Sequence, residues 1–270
     1  MIKKASVEGN FYPKDKLDLG KTLDEVFRKS KLPEEPKGKP FAILVPHAGY
    51  IYSGETAAVA FKSLEGYHYE KAIIIAPLHR VSGDFPFFVG DYEAYETPLG
   101  LLKTDRDNIV YLLQKPGFGF HNGVDRTEHS LEVQLPFLKY LLPDIAITPI
   151  LFVHQTLANA DTLSDCLSDI MTESTLLVIS SDLSHFHDSK TAENMDLKLI
   201  DLLVSNKSTV FYDSIIQGHI EACGFGGILT AMSYIKKYRN GEAFNITYTH
   251  SGFITRDFDR VVGYLSCAFC

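Results

Sequence analysis

The sequence predicts an α/β protein, a three-layer α/β/α sandwich around a central sheet that is largely parallel but mixed. Three observations predict it. Short continuous apolar runs recur along the chain, helix-length amphipathic stretches lie between them, and titratable side chains stand directly after several of the runs. Apolar runs without alternation are what central strands buried on both faces require. Strands alternating with helices stack into such layers.

Taken in order, Phe41-Ala42-Ile43-Leu44-Val45 leads into Pro46-His47-Ala48-Gly49-Tyr50. A helix is expected over 53–64, with Ser53-Gly54-Glu55-Thr56 as a partial capping box. Lys71-Ala72-Ile73-Ile74-Ile75-Ala76 then leads into Pro77-Leu78-His79. Residues 86–102, with Phe87-Phe88-Val89-Gly90-Asp91-Tyr92-Glu93, read as an antiparallel excursion at one edge of the sheet. Helices are expected over 129–142, 156–171, 188–204 and 223–239, and further strands over 146–153 and 261–269. Thr175-Leu176-Leu177-Val178-Ile179 leads into Ser180-Ser181-Asp182-Leu183-Ser184-His185. No internal repeat is visible, and one domain over residues 1–270 is the expectation, since a chain this long buries about three quarters of its unfolded surface around one core.

Composition narrows the function classes. A formal net charge of −8 disfavours a nucleic-acid binder, which needs a basic face. Lysines gather between Lys14 and Lys39, but Asp15, Asp18, Asp24, Glu34 and Glu35 are interleaved with them, so that stretch reads as a solvated surface. The first eight residues hold no apolar segment after their lysines, and the run 72–78 is far below the ~20 residues of a membrane helix. Four cysteines do not make a disulfide framework in a chain of this size, and the Cys267-Ala268-Phe269-Cys270 ending closes a strand-like run and reads as core packing. A reducing cytoplasm is the expected compartment, with neither nucleic acid nor membrane as partner.

Ligands of open α/β sheets bind beyond the carboxyl ends of the strands. His47, His79, Asp182 and His185 all follow strands in this way. A turn histidine bonded to backbone is the plainer account of His47 or His79 alone; two together favour function. Cys223 stands in Glu221-Ala222-Cys223-Gly224-Phe225-Gly226-Gly227, just before an expected helix, where the macrodipole lowers a thiol pKa. The plainer account there is a small buried hydrophobe. Asp182 and His185 share one loop and fit a base with a carboxylate beside it, while Ser181, Asp182 or Ser184 would also serve as helix caps. Glu128, His129 and Glu132 open the 129–142 stretch; Glu128 and Glu132 are one helical turn apart, and all three rank as groups behind the site. His68, His121, His154, His219 and His250 have no comparable surroundings. No GxxxxGK[ST], well-placed GxGxxG, GxSxG or HExxH occurs, so the usual marks of nucleotide binding, serine hydrolysis and zincin proteolysis are missing.

Gly9-Asn10-Phe11-Tyr12-Pro13, Pro46-His47-Ala48-Gly49-Tyr50-Ile51-Tyr52-Ser53-Gly54, Thr97-Pro98-Leu99-Gly100, the run from Glu128 to Leu138, Ser181-Asp182-Leu183-Ser184-His185 and Cys223-Gly224 together resemble the Memo family, in order and over nearly the whole chain. The resemblance implies a fold shared with class III extradiol dioxygenases, in which a non-haem iron sits in a cleft. It implies that His47, His79 and Cys223 occupy the family's metal-binding positions, that Asp182 and His185 are its remaining cleft residues, and that His185 corresponds to the dioxygenases' catalytic base. It also implies pathway partners of radical-SAM and AMMECR type, as in bacteria and archaea. Eukaryotic members are described as mediators of cell motility that bind phosphotyrosine peptides and redox metals. This chain departs from the family at Ala76-Pro77-Leu78, where Gly-Pro and a small polar residue are usual, and at Phe253, where Asp is frequent; Leu78 makes the surroundings of His79 more apolar.

Two imidazoles and a thiolate leave room for water or substrate. Sulfur in place of the usual carboxylate of oxygenase sites moves the donor set toward zinc or Cu(I). The expectation is a divalent or redox metal ion, with iron or copper favoured and zinc also fitting, in an oxidoreductase or dioxygenase-like enzyme. Two other readings stand beside it: a non-catalytic module whose cleft accepts an anionic or aromatic ligand or peptide, and a thiol enzyme with Cys223 as nucleophile and His185 as base.

Overall fold

Continuous burial along the central strands, on both faces, decides the architecture. The computed structural model describes every residue except Glu34, Glu35, Val81, Ser82, His121, Asn122, Val124 and Asp125. The elements run β1 (Ile2–Lys3), α1 (Lys16–Lys29), β2 (Ala42–Val45), α2 (Tyr50–Lys62), β3 (Lys71–Pro77), β4 (Phe87–Val89), β5 (Ala94–Thr97), β6 (Gly100–Lys103), α3 (Arg106–Leu113), β7 (Phe118–Phe120), α4 (Leu135–Leu141), β8 (Ala146–Phe152), α5 (Leu157–Ser168), β9 (Thr175–Ser180), β10 (His185–His187), α6 (Ser189–Val204), α7 (Ser208–Ile216), α8 (Phe225–Tyr238), β11 (Ala243–His250), α9 (Gly252–Thr255) and β12 (Val261–Phe269).

The main sheet has the order β10-β12-β2-β9-β3-β8-β4-β7, with β11 on the other side of β12. Its middle, β2-β9-β3-β8, is parallel throughout. The flanks are not: β12 runs antiparallel to β2, β10 and β11, and β4 antiparallel to β8. The sheet is therefore mixed, as expected. Ile73, Ile75, Leu177 and Ile179 face a core built with α5, α6, α7 and α8. Ala72, Ile74, Ala76, Leu176 and Val178 face the opposite core, built with α1, α2 and α4. Each fully buried Ile or Leu contributes about 1.5–3 kcal/mol from area removed from water, and neither face of these strands is left uncovered.

Some expectations need correction. Residues 86–102 divide: β4 joins the main sheet, whereas β5 and β6 form a hairpin in a separate three-stranded sheet with β1. The 14–39 stretch is no mere solvated surface, because α1 buries Leu19, Leu23 and Phe27, one helical stripe, and Asp15 caps it by accepting from the N–H groups of Leu17 and Asp18. The capping box at Ser53 does not form; α2 starts at Tyr50 after Gly49, and the Ser53 hydroxyl donates to the Ala48 carbonyl instead. The helix expected from 129 starts late. A 3-10 turn, Glu132–Gln134, precedes α4, whose first turn carries Pro136, a residue that suits a helix start because it has no N–H to bond there. All four cysteines are free.

Candidate metal centre

Three loops leave the carboxyl ends of neighbouring parallel strands: β2 delivers His47, β3 delivers His79, and β9 delivers Asp182. Cys223 reaches the same place from the turn before α8. Gly224, next to it, has to be glycine, since a Cβ there would lie 2.3 Å from the Ser180 carbonyl oxygen. That close approach brings Cys223 against the end of β9.

One potential ligand atom from each of His47, His79 and Cys223 lies within 4.8 Å of the other two. His47 is buried, with Nε2 3.1 Å from Cys223 Sγ and Nδ1 2.9 Å from Ser180 Oγ. His79 is about a third exposed, so the cluster meets solvent on that side. Its backbone N–H and its Nδ1 are 2.7 and 2.9 Å from the two oxygens of Glu128, and Ser130 N donates to the same carboxylate. Burial opposes ionisation of Glu128. The ring, backbone and charge of His79, with the Ser130 N–H, outweigh it and hold the carboxyl down at about 2. An ionised Glu128 can only accept, so His79 carries its proton on Nδ1 and leaves Nε2 for a ligand.

Asp182 is buried, and its carboxylate accepts from His47 N at 2.8 Å. Burial pushes its pKa up to about 6, against the N–H groups of His47 and Ala48 and the charge of His185. Its N–H donates to Cys223 Sγ at 3.2 Å, and its carbonyl accepts from Cys223 N. Asp182 therefore joins the His47 and Cys223 loops. The expected role of holding the His185 ring is not what the geometry gives, since no hydrogen bond between the two side chains exists among the described residues. It is the backbone of His185 that is tethered, by Glu221 at 3.1 Å, and Glu221 also meets His187 Nε2 at 2.9 Å. Between them Phe186 takes φ 62°, a conformation rare for an aromatic residue. The His185 ring is near enough for its charge to act on both His47 and Asp182.

The expected lowering of the Cys223 pKa is reversed. Burial raises it, helped by the charge of Asp182 and only partly offset by the Ser181 hydroxyl and the Asp182 N–H. Cys223 precedes the N-cap Gly224, and the dipole of α8 does not outweigh the loss of water. His47 is likewise pushed well below the ordinary histidine value, first by burial and then by His129 and His79.

The three residues ranked behind the site separate. Glu128 supports His79. His129 comes closer than expected: its ring stacks between Phe11, 4.6 Å away, and His79, 5.0 Å away, and meets the His47 ring edge-on at 5.3 Å. Its buried Nδ1 lies 3.4 Å from a Glu128 oxygen and has no hydrogen-bond partner among the described residues. Glu132 points elsewhere and does not share a face with Glu128, because the chain between them is not yet helical. It accepts from Lys3 Nζ, Ser6 N, Val7 N and Tyr12 OH at 2.8–3.0 Å, which pins the N-terminal segment that carries Phe11. His79, Glu128 and His129 form a second group with ligand-like spacing, but both oxygens of Glu128 are already occupied by N–H groups. Among the remaining histidines, His250 is buried against Phe253 and accepts from Gly252 N, while His121 lies outside the described residues. The capping account of Ser181, Asp182 and Ser184 also falls, since Asp188 caps α6.

Phe11, Ser180, Gln134 and Glu221 were not singled out from the sequence. Phe11 lies in the Gly9–Pro13 motif and Ser180 two residues before Asp182, the only hints either carries. Among the described residues no helix is long and apolar enough to cross a membrane.

Residues 3–268 match the family described as Memo-like protein. A MEMO1 family protein of Aquifex aeolicus is 35% identical over 99% of this chain and 99% of its own length. One from Methanobrevibacter smithii is 33% identical over the whole of both chains. Among solved structures, the uncharacterized protein JW3007 of Escherichia coli K12 has a TM-score of 0.48 at 11% identity, covering 83% of this chain and 98% of that one.

Proposed function

We propose, from the premise that this chain belongs to the Memo-like protein family, that it is a metal-dependent, oxidoreductase-like enzyme whose centre is held by His47, His79 and Cys223. The observation that carries the reading is the convergence of the three donors within 4.8 Å, with His79 already set in its binding tautomer by Glu128. Two imidazoles and a sulfur suit iron(II), copper(I) or zinc, and the oxidoreductase reading favours iron or copper. A bound metal supplies Lewis acidity there and, when iron or copper, a redox couple.

The chain's own residues do the rest. The Cys223 thiol gives up its proton on binding metal, so uptake releases a proton and strengthens as pH rises. The partly exposed side of His79 is where a small substrate enters. His185, tethered through its backbone and with no hydrogen bond on its ring among the described residues, gives or takes a proton at the substrate. A thiol-nucleophile role for Cys223 is disfavoured by the same burial that raises its pKa, because the thiolate is the attacking form.

Alkylation of Cys223, read by peptide mass, tests this. One equivalent of Fe(II), Cu(I) or Zn(II), added anaerobically to metal-free protein, is expected to slow labelling by roughly tenfold or more and to release protons. Labelling that none of the three metals alters would remove the metal-centre reading.

A further inference from the structure

Among the described residues no carboxylate meets Nδ1 of His47, Asp182 Oδ2 lying instead 4.0 Å from Nε2, and the groups around Nδ1 admit a single arrangement of protons. Gln134 is fully buried; its Nε2 lies 2.9 Å from the Pro46 carbonyl and 2.9 Å from Ser180 Oγ. A carbonyl oxygen only accepts, so the amide nitrogen, not its oxygen, must face Pro46, and its second hydrogen goes to Ser180. Ser180, also fully buried, lies 2.6 Å from the Ser130 carbonyl. Its one proton is therefore spent on Ser130. Both Ser180 lone pairs then accept, one from Gln134 and the other from the one remaining partner among the described residues, His47 Nδ1 at 2.9 Å. The chain of donors closes only if Nδ1 of His47 carries the hydrogen.

We propose that Ser180, locked in orientation by Gln134 and Ser130, is the positioning residue that fixes His47 as its Nδ1–H tautomer and leaves Nε2 aimed at Cys223 Sγ, 3.1 Å away. Either of two changes undoes the lock. Without the Ser180 hydroxyl the ring loses its acceptor. Without the Gln134 amide the hydroxyl still has the Ser130 carbonyl but loses the donor that holds one of its lone pairs, so it can also turn and donate to Nδ1, which shifts the tautomer. A stretch of seven residues thus backs both imidazoles, Glu128 behind His79 and Ser130 with Gln134 behind Ser180 and His47.

The consequence for metal binding rests on the function proposed above; the tautomer does not. Long-range ¹H–¹⁵N correlation spectra of the imidazoles in metal-free protein read it directly. The expected result is His47 with a protonated Nδ1 and a bare Nε2 in the wild type, and a shift toward the Nε2–H form in Ser180→Ala and Gln134→Met. Zn(II) affinity of both variants is expected to fall about 10- to 100-fold, as for the loss of other groups behind a metal ligand. Ser180→Thr, which keeps the hydroxyl, is expected to restore the wild-type spectrum. An Nε2–H signature in the wild type overturns the proposal without recourse to any variant, and so does an unchanged tautomer in Ser180→Ala. A wild type with the expected tautomer that takes up no metal overturns the metal centre and leaves the lock standing.

Discussion

His47 and His79 stand at equivalent points, each just beyond a central parallel strand and each with its backbone N–H bonded to a carboxylate. Asp182 accepts from His47 N, and Glu128 from His79 N. The difference is in the ring. His79 gives its Nδ1 to the same carboxylate, whereas the His47 ring turns to Ser180. Burial raises both acids, but at Glu128 the ring, backbone and charge of His79 with the Ser130 N–H outweigh it and hold the carboxyl down at about 2. At Asp182 burial wins over the His47 and Ala48 N–H groups, and the value rises to about 6. The same backbone motif thus yields an anion behind one imidazole and an acid poised near neutrality beside the other. Burial alone would have raised both.

The largest effect that separates the two sides comes from Glu128→Ala. It strands the His79 ring, the His79 N–H and Ser130 N, and thermal or urea unfolding is expected to show a loss of about 3 kcal/mol, the low end for breaking a buried charged pair because His79 is about a third exposed. The equivalent truncation at Ser180, a neutral group, costs less, about 1–3 kcal/mol. Equal losses would mean that the charge on Glu128 contributes nothing.

A smaller effect is carried by pH. The folded pKa of Glu128 lies below its unfolded value of about 4.5, so its contribution, about 3 kcal/mol, is present above pH 4.5 and is lost as pH falls toward 2. Asp182 has the opposite sign: its folded pKa lies above the unfolded 3.8, so the fold is favoured below that value and loses stability as pH rises through about 6. Unfolding free energies across pH 2–8 should show Glu128→Gln flattening the acid limb and Asp182→Asn flattening the limb between pH 4 and 7. Flattening of the same limb by both variants would contradict the opposite signs of the two acids.

Much of the fold was legible because burial on both faces leaves a mark that local sequence cannot hide. The runs at 71–76 and 175–179 are strands to within a residue or two of the structure. Helix α1 was hidden because its stripe of Leu19, Leu23 and Phe27 lies among lysines and acids that occupy its other face. In the site, His47, His79 and Cys223 could be placed because each ends a strand or precedes a helix. Their supports could not. Ser180 reaches Ser130 and His47 across 50 and 133 residues, and nothing near Gln134 in the sequence says which carbonyl it will face. The shift at Cys223 has the opposite sign to the expected one for a related reason: a dipole is readable from a helix start, but burial is set by residues far away in the chain.

The three-donor centre is tested most simply by the element-resolved metal content of protein purified without oxygen, for the wild type and for His47→Ala, His79→Ala and Cys223→Ala. Near-stoichiometric iron, copper or zinc is expected in the wild type and its loss in each variant, with Glu128→Ala retaining a fraction. A wild type that is empty and cannot be loaded with any of the three, or a metal content that survives all three substitutions, would contradict the three-donor centre.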